Sequence, residues 1–189
     1  MNIKKGIKDL IEILVIALII SFIITKVLFM SCEVVGSSMR PTLYDGDRGF
    51  SSIVSKNNIH RFDIVVIDHE ESDNEKLLVK RVIGLPGETI EYIDNVLYIN
   101  NVKYEENFIH DTSTNDFKVT LNDDEYYCLG DNRSVSRDSR SYGPFKIDSI
   151  KSVHIFVFFP FNHIGLKKWT IFNGIQAIWP KLINKYKKI

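Results

Sequence analysis

Two short segments carry the residue types for nucleophilic chemistry: Gly36-Ser37-Ser38-Met39-Arg40-Pro41-Thr42-Leu43 and Lys80-Arg81-Val82-Ile83-Gly84-Leu85-Pro86-Gly87. A serine hydroxyl is a poor nucleophile until a neighbour takes its proton. The five histidines (His60, His69, His110, His154, His163) form no recognisable triad motif, and a neutral lysine can act as the base instead. Ser38 is the candidate nucleophile and Lys80 the candidate base, with Ser37 as the competing hydroxyl. Pro41 fixes the chain after Arg40, and Met39, Pro41 and Leu43 offer apolar contact to a membrane or a substrate.

Lys80 lies in the apolar run Leu77-Leu78-Val79-Lys80-Arg81-Val82-Ile83. In a strand, alternation puts Leu78, Lys80 and Val82 on one face and Val79, Arg81 and Ile83 on the other, so one of the two cations points inward. A strand-edge lysine guarding against aggregation is the plain alternative. Against it, aliphatic neighbours strip hydration from the amine and favour its neutral form, a form that a guanidinium does not reach. A third segment, Gly130-Asp131-Asn132-Arg133-Ser134-Val135-Ser136-Arg137-Asp138-Ser139-Arg140, is dense in hydroxyls and alternating charge. Alone it reads as a solvated loop; beside Ser38 and Lys80, one of its hydroxyls can orient the amine as a third group orients a histidine base.

These residues need a scaffold. Leu10 to Phe29 is almost wholly Leu, Ile, Val, Ala and Phe, about the 20 residues that a helix rising ~1.5 Å per residue needs to cross ~30 Å of hydrocarbon. Lys4, Lys5 and Lys8 precede the span, and the positive-inside bias puts the N-terminus in the cytoplasm and the remainder outside. A cleavable signal fits less well, because no small-x-small site follows the run. The expected layout is a cytoplasmic N-terminus (1–9), a transmembrane helix (10–30), an extracytoplasmic β domain (31–165) and a basic aromatic tail (166–189). In that tail Trp169, Phe172, Ile175, Ile178, Trp179, Leu182 and Tyr186 recur at helical spacing, suiting a helix on the membrane surface or one packed on its own domain.

Beyond the span, short β-like runs alternate with turn residues: Arg48–Ser52, Asp63–Ile67, Leu77–Ile83, Tyr126–Leu129 and Ser152–Phe159. Thr89 to Tyr104 reads as three strands joined at Asp94-Asn95 and Asn100-Asn101, pairs that tolerate the positive φ of tight hairpins. Asn107 to Asn115 reads as a loop.

Lysine plus arginine and aspartate plus glutamate each total 24 of 189 residues, so no overall field argues for nucleic acid. Cys32 and Cys128 belong to no C-x-x-C pair, leaving free thiols or a single bridge as the alternatives, and the histidines show no metal-ligand spacing. The expectation is no metal and no cofactor.

In order and spacing, four segments resemble the bacterial type I signal peptidases of single-span Gram-positive type: Gly36 to Leu43 after one span, Lys80 to Glu88, Gly130 to Arg140, and Phe158-Phe159-Pro160-Phe161-Asn162. The resemblance covers nearly the whole chain. It implies a mainly β fold, an antiparallel barrel-like catalytic core with a small β insert at about 88–126, and a membrane-anchored endopeptidase that removes signal peptides from exported preproteins. It implies Ser38 as nucleophile, Lys80 as general base, Ser136 as the serine orienting the lysine, and Arg81, Asp131, Asp138 and Arg140 as charges bracing the site. The chain departs from the pattern twice. Ser134-Val135 precede Ser136, which makes Ser134 the fallback for the orienting serine. Gly36 stands where some relatives carry an oxyanion-binding serine, leaving that work to the Ser38 N–H with help from Ser37. Two alternatives stay open: a Ser/Lys peptidase dedicated to a narrow substrate such as a pilin precursor, and a non-catalytic anchored β domain that binds exported chains.

Overall fold

The computed structural model describes residues 3–69, 77–109 and 114–167. The first element, α1 (Ile3–Leu28), is apolar on every side, and its Leu18 and Phe22 are 70% and 64% exposed. A soluble core helix would hide such a face, whereas a bilayer accepts it. Gly6–Leu28 is long and apolar enough to cross a membrane.

The helix gives way directly to a strand, β1 (Phe29–Glu33), antiparallel to β2 (Arg48–Ser52). The strand thus begins inside the stretch assigned from sequence to the span. Continuous apolar composition hides the change, because the strand pairing that claims Phe29 and Met30 is with Ser52 and Ser51, about two dozen residues away.

The main sheet has eight strands and adds β3 (Ile64–Asp68), β4 (Leu77–Gly84), β9 (Glu125–Leu129), β10 (Phe145–Lys146), β11 (Ile150–Phe159) and β12 (Gly165–Lys167). Its order is β1-β2-β11-β3-β4-β9-β10, with β12 beside β11. Antiparallel pairing prevails, and the path is open at β1 and β10 rather than closed into a barrel. The run Ile64-Val65-Val66-Ile67 is buried on both faces: Ile64 and Val66 pack with Val34, Met39, Leu43, Ile155 and Val157, while Val65 and Ile67 pack with Leu78, Val82, Cys128, Ile150 and Val153. Two-sided burial explains why β3 lacks polar alternation.

A second sheet, ordered β7-β6-β5-β8, is built from β5 (Thr89–Ile93), β6 (Val96–Ile99), β7 (Val102–Tyr104) and β8 (Phe117–Thr120). Asp94-Asn95 and Asn100-Asn101 all take positive φ, between 49° and 65°, at the two hairpin turns where the sequence placed them. Strand β8, unread in the sequence, pairs with β5 and closes the meander. Tyr92, Leu97 and Ile99 of this sheet pack on Ile83, Tyr127 and Leu129 of the larger one and on Phe62 in the turn before β3.

Both thiols are free; Cys128 is buried, and Cys32 packs against the Val34–Met39 cluster. Of the expected tail, Lys167 ends β12 and the aromatic-basic run from Trp169 onward lies outside the described residues.

Candidate active site

Ser38 sits on a turn between β1 and β2. Arg40 N–H bonds the Ser37 carbonyl at 3.2 Å, and the Thr42 and Leu43 N–H groups bond the Met39 carbonyl at 2.9 and 3.0 Å. Met39 and Leu43 turn into the core, 1% and 0% exposed, which anchors the turn; of the three apolar contact residues read from sequence, Pro41 alone is exposed.

Lys80, in the middle of β4, is 4% exposed, and its Nζ donates to Ser38 Oγ at 2.9 Å. The two residues lie 42 positions apart, so only the folded sheet brings them together. Burial among Leu78, Val82 and Cys128 disfavours an ammonium. Alternation predicted one inward cation on β4, but Arg81 is buried as well, at 1% exposure. The reason is that both faces of β4 are covered, one by the main core and one by the packing of the smaller sheet.

Every nitrogen of the Arg81 guanidinium finds an acceptor. Its Nε and Nη2 donate to Asp131 Oδ1 and Oδ2 at 2.8 and 2.6 Å, Nη1 donates to the Phe62 carbonyl at 2.8 Å, and the guanidinium lies 4.1 Å from the Phe108 ring centroid. Thr42, which sequence reading left out of the site, completes this knot. Its hydroxyl donates to Asp131 Oδ2 at 2.5 Å and accepts from Arg81 Nη2 at 3.1 Å. The only sequence signal was its place in the Pro41-Thr42-Leu43 run. A bidentate, desolvated arginine–carboxylate pair is rigid, and Thr42 ties the Ser38 turn to it.

The Gly130–Arg140 segment closes over the same turn. Asn132, also missed, donates its N–H to the Ser38 carbonyl at 2.9 Å and its Nδ2 to the Ser37 carbonyl at 3.2 Å. Asp138 is fully buried and accepts from Gly130 N–H at 3.0 Å and from Arg140 Nε and Nη2, each at 2.8 Å. Burial works to raise this carboxyl, but the Arg140 and Gly130 hydrogen bonds outweigh it and hold it below the usual carboxylate range. Arg133 binds Glu106 and Tyr92 of the smaller sheet and the Gly130 carbonyl, fastening the insert to the loop.

Ser136 and Ser38 meet at Gly130: a Cβ there would stand 2.2 Å from Ser136 Oγ and 2.6 Å from the Ser38 carbonyl oxygen. Ser136 Oγ is buried and faces the Asp138 carboxyl, which its hydroxyl helps to hold low. Ser134 instead turns out to solvent and donates to Asn132 Oδ1 at 3.2 Å.

Gly36 takes φ +87°, and its N–H donates to Asp45 Oδ1 at 2.7 Å. A side chain there would meet no steric obstacle but would strain that left-handed backbone. The Ser38 N–H bonds no acceptor among the described residues. Ser37 contributes its carbonyl to the turn, and its hydroxyl makes no bond among the described residues.

Among proteins of known family, residues 7–159 match the family described as signal peptidase, peptidase S26. A signal peptidase I of Bacillus amyloliquefaciens is 38% identical over 87% of this chain and 95% of its own length. Signal peptidase IB of Staphylococcus aureus (strain COL) is 33% identical over 84% and 93%. A solved signal peptidase I from Enterococcus faecalis V583 is 36% identical, with a TM-score of 0.47 over 51% of this chain and 96% of that one. With a family match across most of its length and relatives of this identity, the chain belongs to the signal peptidase family, peptidase S26.

Proposed function

We propose that this chain, a membrane-anchored serine peptidase of the signal peptidase family, uses Ser38 as nucleophile and Lys80 as general base to cleave signal peptides from exported preproteins. The observation that carries the residue assignment is the 2.9 Å bond between Lys80 Nζ and Ser38 Oγ, made by a lysine only 4% exposed. Neutral Lys80 takes the Ser38 proton as Oγ attacks the scissile carbonyl carbon. The Ser38 N–H stabilises the oxyanion, and Lys80 returns the proton to the departing amine. Water then attacks the acyl-serine, its proton passing to Lys80 and from there to Ser38 Oγ as the acyl C–Oγ bond breaks, and the signal peptide leaves with a new carboxylate. Ser136 helps set the amine, while Arg81–Asp131 and Asp138–Arg140 keep the two loops in register.

The bilayer supplies proximity, since enzyme and precursor share one surface. Support comes from the apolar surround of α1 and from Phe29, Phe50 and Phe156, exposed on the strands that follow it. Lys4, Lys5 and Lys8 orient the N-terminus to the cytoplasm and the β domain to the outside.

Incubation of the full-length protein with an exported precursor, read by mass spectrometry, tests this. The wild type cuts at the signal-peptide boundary; Ser38→Ala and Lys80→Arg lower turnover by about 10³-fold or more. Cleavage retained by Lys80→Arg, whose guanidinium stays charged, would reject the neutral base.

A further inference from the structure

The segment Phe158-Phe159-Pro160-Phe161-Asn162 has no part in the reaction as described, yet it ends one residue short of His163, whose ring reaches the loop that carries Ser38. Phe159, at the end of β11, pairs with Arg48, the first residue of β2, so the chain leaves β11 alongside Asp47. A short 3₁₀ turn (Phe161–His163) follows, in which the His163 N–H donates to the Pro160 carbonyl at 2.9 Å. It sets the imidazole against the Asp47 carboxylate, with Nδ1 2.6 Å from Oδ1.

Asp47 closes the loop between β1 and β2. At the neck, the Val34 N–H donates to the Asp47 carbonyl at 2.8 Å and the Gly46 N–H to the Val34 carbonyl at 2.9 Å. Inside, Asp47 Oδ2 accepts the Tyr44 N–H at 2.9 Å, and Tyr44 directly follows Leu43, whose own N–H ends the Ser38 turn on the Met39 carbonyl. Asp47 is 1% exposed, so its other oxygen needs a protein donor in place of water. A carboxylate only accepts, so the His163 hydrogen lies on Nδ1 and points at Oδ1. The imidazole also stacks on Tyr44, with ring centroids 4.7 Å apart. Arg81 and Asp131 thus hold the turn at Thr42, and Asp47 with His163 holds it two residues later, at Tyr44.

We propose that His163 is a positioning residue for the peptidase: by donating to Asp47 it keeps the Tyr44 N–H bond in place, and with it the reach of Ser38 Oγ to Lys80 Nζ. The inference rests on the Ser38–Lys80 reading and adds to it a side chain that acts through the Asp47 carboxylate. Small shifts between nucleophile and base slow the chemical step, so the loss falls on kcat rather than on KM.

Three variants of the detergent-solubilised full-length protein test it, on a precursor peptide that spans the cleavage boundary. His163→Phe keeps a ring against Tyr44 and removes the donor. His163→Asn removes the ring and keeps the donor, because its Nδ2 sits on Cγ where the imidazole Nδ1 does; His163→Ala removes both. At a temperature where melting curves show each variant folded, Phe and Ala lower kcat about tenfold with KM unchanged, and Asn recovers most of the loss. A folded His163→Phe with the wild-type kcat would overturn the proposal, as would a His163→Asn no faster than His163→Ala, or a loss confined to KM. Should His163→Phe not fold, the comparison of Asn with Ala, neither of which carries a ring, decides alone. Ser38→Ala in the same assay keeps the two ideas apart: cleavage by that variant rejects the peptidase reading, whereas an inactive Ser38→Ala beside unaffected His163 variants rejects only the role of His163.

Discussion

Lys80 and Arg81, consecutive on β4, both end on the same turn: Lys80 Nζ on Ser38 Oγ at 2.9 Å and Arg81 Nη2 on Thr42 Oγ1 at 3.1 Å. One strand therefore grips the Ser38 turn at two points four residues apart. Because Arg81 is clamped by Asp131, its grip fixes where Lys80 must lie relative to Ser38.

Arg81→Lys keeps the charge but loses the two-pronged fit to Asp131, whose side chain is wholly buried. Breaking a buried pair of this kind costs about 3–5 kcal/mol. Urea unfolding should show a loss of that order, with kcat falling as well; an unchanged midpoint would mean that the pair is dispensable.

Thr42→Val keeps the shape of the side chain and removes the hydroxyl that Asp131 and Arg81 share. Leaving buried polar groups short of a partner costs about 1–3 kcal/mol. Turnover should drop mainly in kcat, because the turn carrying Ser38 is loosened, and Thr42→Ser should restore most of it. Equal rates for the valine and serine variants would show that the hydroxyl plays no part.

Gly130→Ala places a methyl group 2.2 Å from Ser136 Oγ and 2.6 Å from the Ser38 carbonyl oxygen. Neither neighbour can yield without moving the site, so the strain, about 1–3 kcal/mol, is accompanied by a large loss of kcat. A fully active alanine variant would mean that the loop has room to withdraw from Ser38.

Asp138 gives a pH dependence of known sign. Its carboxyl, though penalised by burial, is held below its ordinary 3.8 by Arg140 and Gly130. A depressed folded-state value contributes stability that is present above the unfolded value, near pH 4, and is lost as pH falls through the folded value. Asp138→Asn should therefore be less stable than the wild type at pH 7, and the difference should shrink below about pH 4. Thermal melts from pH 7 to pH 3 measure it, and a gap that is constant with pH would contradict the assignment.

Much of the molecule follows from local pattern alone. The apolar run dictates a spanning helix because a bilayer demands length and hydrophobicity, both readable residue by residue. Short apolar runs bounded by turn residues mark β3, β4 and β9, and the asparagine pairs mark the hairpins, since run length and positive φ are properties of neighbours. The types of Ser38 and Lys80 likewise fix the chemistry open to them. Sheet order is another matter. That β4 lies between β3 and β9, that β1 starts at Phe29, that Arg81 is buried along with Lys80, and that Thr42 and Asn132 hold the Ser38 turn all depend on contacts between residues dozens of positions apart. No local pattern encodes such pairings. They are selected when burial on both faces of one sheet leaves each charged group a single arrangement in which every donor finds an acceptor.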